Sequence, residues 1–459
     1  MLRCFGLSMS DSDNSFSVQA LAPIQAPAPV LAPAPAPGFS LRRLGAAALV
    51  LGLVQGLGGI VRDCALTCNV GYRQAPIAFL IVASLSLPLV ALQLRMQRSL
   101  GQELWRVYST LFIAITLLAF RLALGVLRPD SGATGLFSKL TYLGFFVWVD
   151  LAFMILSAQL FSLLQGDESS TDRGLTVFAT AMYGGGLVGG ILASSINTWL
   201  VEHLHLPFDV ARDHLMIAMA AVLLLLLPVG RASSTAPPAA APTPAAASPG
   251  GTLALTLRIL TGDPHARLVS LAFAFAAASA ICLESLFYWI LSEQATGGGG
   301  FVRLLATLAI WMNGVGLLLA AGGASRIIRH LGLGVVVLAV PACLLIGSGY
   351  LLLATALVVM LAMRVLKDSL SGGLYEPASE RLLVRLHGAG YGKHRPVFDV
   401  ASRLGTGLGA LLVLLLTLLL RVPLRVLIAV VVVLHLAWLA ALIPLARWAA
   451  RPAAAKLSA

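Results

Sequence analysis

Twelve long apolar runs follow one another along the chain, six between Leu44 and Gly230 and six between Leu268 and Leu445. An Ala/Pro-rich bridge separates the two sets. It begins Arg231-Ala-Ser-Ser-Thr-Ala-Pro-Pro and runs to Gly250-Gly251. A helix of about 20 apolar residues spans about 30 Å of hydrocarbon. The alternative that satisfies its backbone in lipid is a closed barrel, whose strands would alternate apolar and polar residues. The runs do not alternate, so the pattern predicts an all-α, polytopic membrane protein.

The predicted helices of the first half are 44–66, 75–94, 107–127, 141–164, 174–197 and 213–230. Those of the second half are 268–292, 302–323, 332–350, 352–371, 396–420 and 424–446. The chain thus divides into a tail 1–43, a six-helix half 44–230, a connector 231–267, a second half 268–446 and a tail 447–459. The first tail carries Ala-Pro repeats from Ala26 onward, which cannot form a core and favour polyproline conformations. Helix 5 carries Gly184-Gly-Gly-Leu-Val-Gly189-Gly190 and helix 11 carries Gly405-Thr-Gly407-Leu-Gly409. Both hold the Gly-x-x-x-Gly spacing that lets helices approach closely. Its recurrence at corresponding places, with basic loops after helices 2 and 8, implies a duplicated unit. Two six-helix halves in parallel repeat are the layout of major-facilitator-type secondary transporters.

Composition agrees with the membrane reading: 59% of residues are hydrophobic and 11% charged, with a mean hydropathy of +0.92. The net charge of +12 could suggest nucleic acid. Most Lys and Arg, however, fall in the loops of one side, including Arg42-Arg43, Arg95, Arg106, Arg326, Arg329 and Arg447. That is the positive-inside bias. It places both termini, the connector and the 372–395 loop in the cytoplasm, excludes a nucleic-acid partner, and fits a bacterial inner membrane. No Walker A, Rossmann or His-Glu-x-x-His motif is present. An ATP-driven pump or other enzyme is therefore not expected, nor is a cofactor. Cys64 and Cys68 lie one helical turn apart and read as small residues of a membrane helix. Glu202, His203 and His205 read as a solvated 198–212 loop without a third metal ligand nearby.

The chemistry lies in charges within the apolar runs. One such charge costs about 2.5–3.5 kcal/mol at mid-bilayer, so it faces protein or water. Helix 1 carries Gln55, Arg62 and Asn69 seven apart on one face, with Asp63 beside Arg62; helix 3 carries Arg121 and helix 4 carries Asp150. Helix 7 carries Glu284 with Tyr288 one turn on, helix 10 carries Arg364, Lys367 and Asp368, and helix 11 carries Asp399 and Arg403. Arg364/Asp368 and Asp399/Arg403 are i,i+4 pairs that can neutralise each other. Arg62, Asp150 and Glu284 have no such local partner, so they must reach across helices or into a cavity. Arg62 is the candidate grip on a small anionic solute, because guanidinium offers a bidentate fork. Asp150 and Glu284 are the candidates for carrying protons or changing partners.

Three stretches resemble the nucleotide translocases of plastids and intracellular bacteria and their shorter bacterial relatives, within the major facilitator superfamily. They are Gly58-Gly-Ile-Val-Arg-Asp-Cys-Ala-Leu with Gly71 and Pro76; Tyr142 to Ile191; and Glu376-Pro-Ala-Ser-Glu380 followed by Tyr391-Gly-Lys393-His-Arg-Pro-Val-Phe-Asp399-Val and Arg403-Leu-Gly405. The resemblance implies nucleotide exchange using four membrane charges. Arg62, Asp150 and Glu284 match three of them. The fourth, a Lys, falls on Thr406, and Arg403 one turn away is the available substitute. Glu380, Lys393 and Asp399 join Arg364, Lys367 and Asp368 as candidate gating or ion-pair residues. The expected protein is a secondary transporter working by alternating access on a small anionic solute, with nucleotide exchange the implied activity. The alternatives are a proton-coupled carrier or exporter of another solute, a non-transporting sensor or assembly partner, and a membrane-embedded enzyme.

Overall fold

The computed structural model describes residues 41–126, 133–161, 168–230, 262–294, 298–387 and 391–450. The predicted N-terminal tail lies outside these residues except at its end, as does nearly all of the connector. All described secondary structure is helical. The first half comprises α1 (Leu41–Ala65), α2 (Ala75–Leu100), α3 (Gln102–Val126), α4 (Ala133–Phe161), α5 (Glu168–Leu204) and α6 (Phe208–Leu224). The second comprises α7 (Pro264–Gln294), α8 (Gly298–Ala321), α9 (Leu333–Leu353), α10 (Leu357–Leu370), α11 (Tyr391–Leu414) and α12 (Leu424–Ala450). Among the described residues eleven helices are long and apolar enough to cross a membrane.

The twelfth, α10, has 14 residues but does not stop there. It widens into a π turn, Ser371–Tyr375, and continues as Glu376–His387. The 372–395 loop expected from the sequence is therefore largely helix. Gly372 and Gly373 read as breakers. The backbone instead absorbs them in a π turn, and Pro377 sits in the first turn of the following segment. A second correction concerns the 198–212 loop. α5 runs on to Leu204 and α6 starts at Phe208, leaving a three-residue turn. Glu202, His203 and His205 are exposed there, but Arg212 is inside the protein.

The two halves pack alike. α1 lies along α5 as α7 lies along α11, and α3 packs on α6 as α9 packs on α12. The glycines explain the first pair of contacts. A Cβ on Gly189 would meet the Leu53 carbonyl oxygen at 2.5 Å, and one on Gly409 would meet Ala278 Cα at 2.8 Å. Gly185 and Gly405 face the backbone of Leu49 and Ala274 in the same way. Leu49 to Ala274 and Leu53 to Ala278 are thus equivalent positions, offset by the 225 residues that also separate Asp63 from Tyr288. Between the halves, α5 meets α8 and α2 meets α11.

Candidate functional site

α1 and α4 of the first half face α7 and α10 of the second around one cluster of charges. Arg62 is at its centre. Its Nε donates to Asp63 Oδ1 at 2.8 Å, its Nη1 bonds Asp150 Oδ1, and its Nη2 lies 3.6 Å from Glu284 Oε1. The guanidinium carbon stands 4.9 Å from the centre of the Phe146 ring, so an aromatic face covers one side of it. From the second half, Arg364 Nη1 lies 2.7 Å from Glu284 Oε1 and its Nε 2.9 Å from Asp368 Oδ2. Lys367 Nζ reaches both Glu284 Oε2 and Asp368 Oδ1 at 3.1 Å. The Tyr288 hydroxyl donates to Asp63 Oδ1 at 2.8 Å, which binds α7 to α1 directly.

The expected i,i+4 pair Arg364–Asp368 therefore exists, but as one edge of a network that also holds Glu284. Among the described ion pairs the network has three bases (Arg62, Arg364, Lys367) and four acids (Asp63, Asp150, Glu284, Asp368). With every group ionised it carries one excess negative charge. No cation in it stands unopposed. Asp150 is the least compensated acid, since its described ion pairs lead to Arg62 alone.

The remaining candidates lie elsewhere. Gln55 is exposed two turns before Arg62, and no neighbouring element lies within 4 Å of where a Cβ on Gly59 would stand, so this face of α1 is unpacked there. Asp399 and Arg403 lie one turn apart on α11, outside the ion pairs described for the cluster. Thr406 caps its own helix turn by donating to the Ser402 carbonyl at 3.1 Å. Glu380 lies on the helical extension of α10. The Lys393 side chain lies outside the described residues.

Sequence reasoning missed two features. Arg212, at 1% exposure, is tied to Asp213, the Tyr142 hydroxyl and Asn69 Oδ1 at 2.7–2.9 Å, joining α6, α4 and the end of α1. The signal was Pro207-Phe-Asp209, a helix start that precedes the apolar run. Tyr183 of α5 donates to the Asp368 carbonyl at 3.0 Å and lies against Gly316 and Gly372, a contact between halves that no spacing announces. Arg121, singled out as a membrane charge, lies 3.3 Å from a ring nitrogen of His214 on α6.

No family model matches the chain, and no curated relative does. Solved structures do. One is the E. coli fucose:proton symporter FucP, 16% identical, with a TM-score of 0.53 over 90% of this chain and 98% of that one. Another is described as a major facilitator superfamily transporter, FucP, in the outward conformation; it is 15% identical, with a TM-score of 0.58 over 90% of this chain and 99% of that one. At this identity the likeness establishes the major-facilitator fold of a multi-pass membrane protein. It lends nothing to the nucleotide-translocase resemblance beyond that fold.

Proposed function

We propose that the protein is a secondary transporter that works by alternating access and couples a small polar solute to protons. The charge network carries this reading. It spans both halves, and the halves cannot part without breaking the Arg62–Glu284, Arg364–Asp63 and Tyr288–Asp63 contacts. Leaving one buried charge unpaired costs about 3–5 kcal/mol, so separation needs a neutralising event. A proton on Asp150 would remove the excess negative charge, free Arg62 from one partner and let it change contacts. The open Gln55–Gly59 face offers the solute a way to that point. The fold neighbour's coupling to protons fits this scheme, although its substrate does not transfer.

The second reading is exchange of a small anion such as a nucleotide, and one observation favours it. Arg62, Arg364 and Lys367 lie in one layer, a suitable set for phosphate once the acids release them. The excess of acids speaks against an anion as the resting partner and in favour of proton coupling. Purified protein in proteoliposomes separates the readings. A labelled solute panel that includes sugars, amines and nucleotides is offered with and without an imposed pH gradient. Proton coupling requires gradient-driven accumulation that Asp150→Asn abolishes while solute counterflow survives. Nucleotide counterflow indifferent to pH and to Asp150→Asn would establish exchange instead. Silence toward every solute would favour a sensor or assembly partner.

A further inference from the structure

Cys64 and Cys68 take no part in the charge network, yet their sulfurs lie 3.6 Å apart. Cys64 is in the last turn of α1, and Cys68 is in the π turn Leu66–Val70 that prolongs it. The two differ in access. Cys64 is buried and its Sγ lies 3.9 Å from Arg212 Nη1, which donates to it; Cys68 is exposed. Depth in the membrane favours access as well. The span Leu41–Val70 has 30 residues, which at 1.5 Å each is about 45 Å against about 30 Å of hydrocarbon. The excess of about 15 Å extends beyond the hydrocarbon, and divided between the two ends it sets the final turn in the polar interface.

We propose that Cys64 and Cys68 form a reversible dithiol–disulfide site, in which Cys68 meets a soluble disulfide and Cys64 resolves it. Residues four apart on a helix have Cα atoms about 6 Å apart, inside the range of roughly 4.4–6.8 Å that disulfides span, but Cβ atoms about 5–6 Å apart against about 3.5–4.5 Å in a disulfide, so the bond requires the π turn Leu66–Val70 to shift locally. The sulfurs start from contact at 3.6 Å and close to a bond of about 2.05 Å as that turn gives. With oxidised glutathione as the oxidant, the Cys68 thiolate attacks one glutathione sulfur. A mixed disulfide forms and one glutathione thiolate leaves. Cys64 attacks the Cys68 sulfur, and its proton passes to the second glutathione thiolate as that leaves. Two cysteine thiols are oxidised to one disulfide, and one oxidised glutathione is reduced to two thiols. The other described cysteines, Cys282 and Cys343, have no cysteine within contact distance. The bond would fix the end of α1 and the π turn after it, between Asp63, held by Tyr288, and Asn69, held by Arg212.

The site stands independently of any transport activity, so its test uses the purified full chain in lipid nanodiscs. The protein is incubated with oxidised glutathione, remaining thiols are alkylated, and peptides are mapped by mass spectrometry. The expected product is a Cys64–Cys68 link that dithiothreitol reverses, with Cys282 still alkylated as a thiol. Cys64→Ser should instead accumulate a lasting glutathione adduct on Cys68, and Cys68→Ser should give neither product. Wild-type protein that keeps both thiols, or that holds the adduct on Cys68 without forming the link, would overturn the proposal.

Discussion

Replacing Arg62 by Met tests whether the central charges act as one unit. The substitution preserves much of the side chain's length and packing against Phe146 but removes the cation that serves Asp63, Asp150 and Glu284. The network then has two bases against four acids. Deleting one partner of a buried pair typically costs about 3–5 kcal/mol, chiefly because the other charge is stranded. Asp150 is the stranded group, since Arg62 is its described ionic partner. Asp150→Asn in the same chain removes that charge and returns the network to its original excess of one acid. Groups in direct contact show interaction energies of about 0.5–3 kcal/mol, so the double variant should be more stable than Arg62→Met alone by an amount in that range. Thermal unfolding in detergent, followed by thiol reactivity of buried Cys282, measures the difference. An Arg62→Met protein with wild-type stability would mean the cluster is loosely solvated. A double variant no more stable than the single would mean Asp150 does not depend on Arg62. Either result refutes the account of a closed network.

Gly189→Leu and Gly409→Leu should each lower the melting temperature or the yield, because a side chain has no room against Leu53 or Ala278; normal behaviour of both would contradict the glycine seams. Glu284→Gln should slow net transport more than solute binding, since Arg62 of the first half loses its charged partner in the second, while Arg364 and Lys367 lose an acid they share; equal loss of both would make Glu284 a binding residue alone. A cysteine placed in the 231–262 connector should react with an impermeant maleimide only after cell lysis; labelling of intact cells would invert the expected orientation.

The helices and the two-half layout were legible because a membrane leaves the chain few choices. An apolar run of sufficient length must be a helix, and its backbone must satisfy itself. The charges were legible for a related reason: Arg62, Asp150 and Glu284 stand out against lipid-compatible sequence. Their mutual contacts were not, since nothing local relates α1 to α7. Arg212 was missed because it precedes its apolar run and looked like a loop cation, although the helix had already begun at Phe208. The continuation of α10 was missed because two glycines and a proline resemble a stop. A π turn lets a helix pass through them, and no residue pattern names that turn in advance.

The contact between Asp63 and Tyr288 has a bearing on descent. The two residues occupy the same place in their respective halves, 225 positions apart, and they touch each other. A precursor built from identical halves would have set Asp against Asp here, or Tyr against Tyr. The first arrangement forces like charges together and the second leaves Arg62 and Arg364 short of an acid. A single chain can hold a different residue at each of the two places, which a pair of identical chains cannot. Divergence of the two places, which identical halves could not have had, was therefore a precondition for this hydrogen bond.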